Sequence, residues 1–254
     1  MIENSDAQSG SFIGPAYRDD EILSFMQREG AVFHKLADGA EGARHVASIL
    51  AEEKIVGMFS GRMEFGPRSL GARSILGDPR AADTQSRMNL KIKFRESFRP
   101  FAPIVLKERA ADYFDINADS PYMLLVAPVK EERRLIPNDA ADPENMLEIV
   151  NAVRSDVPAI THVDYSARIQ TVTQDVNPRM FSVLKAFDEL TGCPVLVNTS
   201  FNVRGEPIVC TSEDAYRCFM RTEIDALVLG DYILYREEQA AEIDESWKKE
   251  YELD

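Results

Sequence analysis

An α/β fold of the α+β kind, a mixed and twisted sheet with helices packed against it, is predicted by three observations. Strand-like runs that are short, β-branched and bounded by Gly, Pro or Asp outnumber the helical stretches. Strands and helices do not alternate strictly, which argues against a doubly wound parallel sheet. The apolar fraction, 44%, is that of an ordinary globular protein, and 254 residues suffice for one large domain or two small ones.

Residues 1–19 are polar and Gly/Ser-bearing and read as a flexible leader, with the folded domain spanning 20–236. Asp19 or Asp20 is a candidate cap for a helix over EILSFMQREG that stops at Gly30, and a second helix is expected from Gly42 to Glu53. The predicted strands are KIVGMFSG, RSILGD, FAPIVL, PYMLLVAPV, ARIQTVT, CPVLVNTS, EPIVC, DALVLGD and YILYR. Between them, helices are expected at about Ala82 to Ile92, Leu106 to Phe114, Pro178 to Leu190 and Ser212 to Thr222, the last capped by Thr211 or Ser212. Residues 130–157 form a charged, Pro-bearing insertion with one short helix near Pro143 to Val153, and 237–254 form an acidic tail that reads as a frayed helix.

Composition excludes several functional classes. A net charge of -14 opposes general affinity for nucleic acid or anionic membrane. No stretch reaches the roughly 20 apolar residues of a membrane span, and the N-terminus lacks a signal-peptide pattern, so the reading is cytoplasmic. Cys193, Cys210 and Cys218 show no CxxC spacing and read as buried thiols. Against this acidic background, residues 62 to 99 hold nine basic and four acidic side chains, an island of +5 suited to an anionic ligand.

Four segments carry the candidate chemistry. GRMEFGPRSLGARSIL (61–76) combines glycines, which let backbone approach a ligand, with Arg68 and Arg73, whose forked donors suit phosphate. It is neither a Walker loop nor a GxGxxG turn. KIKFRESFRPFAP supplies Lys93, Arg95 and Arg99; if extended, it projects Lys93 and Arg95 to one side, and two cations held together call for an anion. The alternative is a solvated basic helix end. VLVNTSFNVRGEPIV (195–209) delivers Asn198, Ser200 and Asn202 at a spacing of two, with Arg204 beyond; these suit a planar ligand, phosphate or metal-bound water, or else an internal polar turn. THVDYSARIQTV (161–172) offers His162, Asp164, Arg168 and Gln170 at alternate positions, as the edge of a pocket would, although a lone histidine beside a strand is more often structural.

Taken together, EFGPRSLGARSILGDPR, KFRESFRPFAPIVL, ITHVDYSARIQTV and NTSFNVRGEPIVCTSEDA resemble the C-terminal region of the O-carbamoyltransferases of antibiotic and nodulation-factor biosynthesis, over about Phe12 to Arg236. The resemblance implies a YrdC-like fold with a concave, positively charged cavity. It implies formation of carbamoyl-adenylate from carbamoyl phosphate and ATP with release of pyrophosphate, then carbamoyl transfer to an acceptor hydroxyl. Lys93-Phe94-Arg95 and Ser200-Phe201-Asn202 match the Lys-x-Arg and Ser-x-Asn signatures of YrdC-like enzymes. On this reading Lys93, Arg95, Arg68 and Arg99 are catalytic. Arg73, His162, Arg168, Asn198, Ser200, Asn202 and Arg204 bind carbamoyl phosphate and ATP, and Mg2+ arrives with the nucleotide rather than on protein ligands.

Family members also carry a longer kinase-like domain of the actin/hexokinase type, which holds metal-binding histidines, with Fe2+ or another divalent metal expected only there, and the acceptor site. That segment is not present in these 254 residues. The chain is therefore expected to be either a dissected domain or, as the polar leader favours, a natural small subunit that needs a kinase-like partner and a small-molecule acceptor. A non-catalytic regulatory subunit that keeps the anion site and docks on such a partner is the alternative.

Overall fold

The computed structural model describes residue 6, residues 8–135, residue 150 and residues 152–240. Helix α1 (Asp19–Arg28) is capped by Arg18 rather than by Asp19 or Asp20: the Glu21 carboxylate accepts from the Arg18 N–H at 2.8 Å, which satisfies the donor ahead of the first turn. Gly30, at φ 65°, follows as expected. Strand β1 (His34–Lys35) leads into α2 (Gly39–Ala51), and β2 (Val56–Phe59) and β3 (Arg73–Gly77) form a fully buried hairpin around a long polar loop.

The helix expected over Ala82 to Ile92 is broken. It consists of α3 (Thr84–Met88) and a π turn over Asn89–Lys93, which Phe94 ends in the left-handed region at φ 48°. Leu106 to Phe114 likewise forms only a 3-10 segment, Lys107–Asp112, after β4 (Ala102–Leu106). Strands β5 (Leu125–Pro128) and β6 (Ser166–Val172) follow. Helix α4 (Pro178–Thr191), expected from Pro178 to Leu190, is capped by Asn177 Oδ1 on the Met180 N–H and stopped by Gly192 at φ 75°. Strand β7 (Val195–Ser200) precedes α5 (Ser212–Met220), whose Thr211 and Asp214 exchange reciprocal side-chain-to-backbone bonds. Strands β8 (Ala226–Leu229) and β9 (Tyr232–Tyr235) complete the sheet. EPIVC forms no strand: Pro207 lacks a donor, and Val209 makes a single bond to the Phe201 carbonyl.

The described strands run β1-β9-β8-β2-β3-β7-β4-β6-β5, with parallel pairs β2/β8 and β4/β6 among antiparallel ones. This is the mixed sheet expected. Within the expected leader, the Gly14 N–H donates to the Met63 carbonyl and the Phe65 N–H to the Ser11 carbonyl, so residues 11–15 lie along the β2–β3 loop. In the expected insertion, Arg134 bridges to Ser155, while the helix placed near Pro143 to Val153 and the acidic tail beyond Ala240 fall outside the described residues.

Register sets the functional face. Asn198 opposes both Leu76 and Ala102, Ser200 opposes Ser74, and Ile104 opposes both Leu196 and Gln170. Residues paired directly across strands project to the same side. Asn198, Ser200, Ser74, Gln170 and, two residues before it on β6, Arg168 therefore share one face of the sheet.

Candidate functional site

The loop between β2 and β3 is laid over that face and is held from within by Glu64. Its carboxylate is 3% exposed, and Oε1 accepts from the backbone N–H groups of Leu70 at 2.5 Å, Ala72 at 3.3 Å and Arg73 at 3.3 Å. Gly66 and Gly71, at φ 125° and 113°, supply the two bends that an L side chain would resist. From the sheet side, Gln170 Nε2 donates to the Leu70 carbonyl at 2.8 Å and Asn198 Nδ2 to the Ser69 carbonyl at 3.0 Å. Leu70 packs on Ala102 and Met123 in a small apolar cluster. Arg68 thus emerges from a loop fixed on both flanks.

Arg68 faces Arg168. Burial, then the Arg68 charge, lowers the Arg168 pKa. The Nε atoms of both guanidinium groups are buried and meet no acceptor, and among the described residues neither arginine has an ion-pair partner. Two neighbouring cations with unspent donors and no ion-pair partner among the described residues are chemically suited to hold an anion. His162 adjoins it: half-buried, its pKa is lowered chiefly by burial and further by Arg168 against the opposing pull of Asp164. Near neutral pH it is a hydrogen-bonding imidazole rather than a third cation.

The second cluster centres on Lys93, 4% exposed, whose Nζ donates to Ser200 O at 2.5 Å, Asn202 Oδ1 at 2.7 Å, Asn202 O at 2.9 Å and Ser200 Oγ at 3.2 Å. Burial lowers its pKa to about 7. Ser200 Oγ also donates to Asn202 Oδ1 at 2.7 Å, and Asn202 Nδ2 to the Glu206 carbonyl at 2.6 Å. Lys93 and Arg95 do not lie along an extended strand, as the spacing had suggested. The left-handed Phe94 turns Arg95 back, where Nε donates to Asn89 Oδ1 at 2.6 Å and the guanidinium stacks 4.9 Å from the Phe101 ring. Asn89 Nδ2 in turn holds the Ser97 and Arg99 carbonyls. Burial and then the Arg99 charge lower the Arg95 pKa to about 10. Arg99 and Arg204 both lie within electrostatic reach of exposed Glu96.

Asn198, Ser200 and Asn202 do not form one row either. The strand ends at Ser200, so Asn198 faces the Arg68 loop while Ser200 and Asn202 close around Lys93. Arg73 departs furthest from expectation. It is fully buried, lies 3.6 Å over the Phe59 ring and donates to the carbonyls of Pro15, Ser60, Gly61 and Ala72, an internal strut tying the N-terminal segment to the β2–β3 loop. Burial lowers its pKa to about 10. Sequence reasoning missed Glu64, Ser69 and Asn89 as site-builders, while Gln170, expected at a pocket edge, does hold the Arg68 loop through the Leu70 carbonyl. Glu64 was visible only as one of four acids in a basic island, and its role depends on three amides from the far end of its own loop. Among the described residues, no group of three or more His, Cys, Asp or Glu side chains is placed to hold a metal ion, and no helix is long and apolar enough to cross a membrane.

Residues 47–236 match the family described as carbamoyltransferase C-terminus. An uncharacterized protein of Synechocystis sp., sll1178, is 54% identical over 257 residues, which cover all of this chain and 42% of that protein. Nodulation protein NolNO of Sinorhizobium fredii is 42% identical over 195 residues, 76% of this chain and 26% of its own. The 3'-hydroxymethylcephem-O-carbamoyltransferase of Streptomyces clavuligerus is 35% identical over 186 residues, 73% of this chain and 31% of its own. The chain thus spans less than half the length of each of these relatives.

Proposed function

The chain belongs to the carbamoyltransferase C-terminal family, and on that premise we propose that it forms carbamoyl-adenylate from carbamoyl phosphate and ATP. The observation that carries this reading is the Arg68–Arg168 pair, two cations with buried unspent donors and no acid partner among the described residues. In the balanced sequence, water cleaves the phosphorus–oxygen bond of carbamoyl phosphate to give carbamate and inorganic phosphate. A carbamate oxygen then attacks the α-phosphorus of ATP and expels pyrophosphate.

No protein nucleophile is needed, so catalysis is positioning and charge stabilisation. Arg68 and Arg168 hold the phosphate of carbamoyl phosphate, with neutral His162 donating one further hydrogen bond. Lys93, Arg95, Arg99 and Arg204 would hold the triphosphate, and the Mg2+ that accompanies ATP would supply charge neutralisation for the leaving pyrophosphate. Ser200 and Asn202 exchange part of their bonding to Lys93 for bonds to the nucleotide. Arg73 acts from behind, holding the loop. Transfer of the carbamoyl group to an acceptor hydroxyl is assigned to the kinase-like portion, whether covalently joined or supplied by a partner chain; the greater length of the relatives supports this division.

The test is isotope exchange between pyrophosphate and ATP, with and without carbamoyl phosphate. Exchange that depends on carbamoyl phosphate is expected, and Lys93→Ala should reduce it at least a hundredfold. Tight ligand binding without exchange, even with a kinase-like partner present, would leave a non-catalytic binding subunit instead.

A further inference from the structure

Beside the Arg68–Arg168 pair lie two unsatisfied polar atoms of a different kind. Asn198 is 1% exposed and Ser69 is 3% exposed, and neither Asn198 Oδ1 nor Ser69 Oγ meets a partner. The orientation of the Asn198 amide is fixed by atoms that can only accept. Its Nδ2 donates to the Ser69 carbonyl at 3.0 Å and to Gln170 Oε1 at 2.7 Å, and Gln170 is oriented in turn because its Nε2 donates to the Leu70 carbonyl. Turning the Asn198 amide over would set Oδ1 against two oxygens. The free atom is therefore a carbonyl oxygen, a pure acceptor, and it waits for a donor.

Its place on the sheet matters. Asn198 opposes Ala102 on β4, and the β4/β6 register, carried back two residues from Ile104 and Gln170, sets Arg168 on the other side of Ala102. Asn198 and Arg168 are thus separated across one face by a methyl side chain, with Leu70 seated over it. A phosphate held by Arg68 and Arg168 would therefore lie on the same face as Asn198, one strand away.

We infer that Asn198, assisted by Ser69, is the specificity-determining residue of the acyl-phosphate site and selects a substrate that carries an N–H donor next to its phosphate. The inference rests on the carbamoyl phosphate reading of the same site. Carbamoyl phosphate brings an amide NH2, whereas acetyl phosphate matches it in size and charge but offers a methyl group. A desolvated carbonyl that meets a methyl stays unpaired, and a buried acceptor left unpaired is how polar sites reject close analogues. The loop from Gly66 to Gly71, bent at those two glycines, must shift to admit the amide, since both orphan atoms are closed to solvent in the free protein.

The test is calorimetric titration of the full chain with carbamoyl phosphate and with acetyl phosphate. The wild-type protein should bind the carbamoyl compound at least tenfold more tightly. Asn198→Ala should bring the two affinities within about threefold of each other, and Ser69→Ala should narrow the gap, both with thermal melts confirming the fold. Gln170→Ala, which frees the Asn198 amide but keeps its oxygen, should weaken both ligands while preserving a preference. Equal affinities in the wild-type protein, or a preference that survives both Asn198→Ala and Ser69→Ala, overturns the inference. If Asn198→Ala does not fold, Ser69→Ala decides alone, and an unchanged ratio overturns it. Binding of neither acyl phosphate by the wild-type protein removes the substrate reading itself, and this inference with it.

Discussion

The Lys93 ammonium donates to Asn202 Oδ1 at 2.7 Å, joining two signatures that lie 109 residues apart in the chain. The same nitrogen reaches both oxygens of Ser200, so one buried cation organises the turn that follows β7. That arrangement costs stability in a pH-dependent way. Burial takes the Lys93 pKa from its ordinary 10.5 to about 7. Between those values the unfolded chain holds more protons than the folded one, so stability rises with pH across the window and is lowest below 7. Urea titrations over pH 7 to 9, below the range where the raised pKa values of the buried Cys193 and Cys218 thiols act in the opposite sense, should show a positive slope in the wild-type protein that Lys93→Met flattens. Parallel slopes for the two proteins would contradict this.

Glu64 is the anchor of the Arg68 loop, and its removal leaves three amides without an acceptor. Glu64→Ala is expected to destabilise the protein by about 2–4 kcal/mol, and Glu64→Gln, which keeps a carbonyl oxygen, by about half as much. Chemical denaturation measures both. Inorganic phosphate affinity should fall with the alanine variant even under conditions where it is fully folded, because Arg68 loses its fixed base.

Arg68 and Arg168 behave in the opposite sense. Each carries a charge that the other repels and no acid balances, so Arg68→Ala and Arg168→Ala should change stability by no more than about 0.5 kcal/mol, with a small gain at low ionic strength. Carbamoyl phosphate affinity should fall at least tenfold in each. The double variant should lose less than the sum of the singles, because either substitution alone dismantles the pair. Calorimetry and thermal melts on the same four proteins check all three outcomes.

Gly57 sits in β2 beneath the residue between Ser200 and Asn202. A Cβ added there would lie 2.9 Å from the Phe201 ring, so Gly57→Ala must push Phe201 and the Lys93 turn with it. The expected destabilisation is about 1–3 kcal/mol, together with weakened nucleotide binding, read by denaturation and by ATP titration. An unperturbed ATP affinity would mean that the turn is not held by its ring.

Much of this was legible in sequence, and the failures have physical causes. The β-branched runs, the Thr211 cap and the Gly30 stop are local signals, and apart from EPIVC the elements they mark appear there. The π turn over Asn89–Lys93 was not legible, because it depends on Asn89 bonding forward to Ser97, Arg99 and Arg95 rather than on helix propensity. For the same reason Lys93 and Arg95 diverge where their spacing suggested a shared side. Arg68 and Arg168 were identifiable as candidates by residue type, but their pairing required a sheet register. Arg73 looked like a ligand residue for the reason that made Arg68 look like one; only burial over Phe59 and its carbonyl cage separate the two.

The central claim is chemical, and the measurement that tests it most directly is detection of the adenylate itself. The chain is incubated with ATP, Mg2+ and carbamoyl phosphate, quenched, and analysed by mass spectrometry, with released pyrophosphate counted in parallel. Carbamoyl-adenylate and pyrophosphate appearing together, dependent on carbamoyl phosphate and lost in Lys93→Ala, is the expected result. Folded wild-type protein that binds both substrates yet yields neither product, alone or with a kinase-like partner, would contradict it.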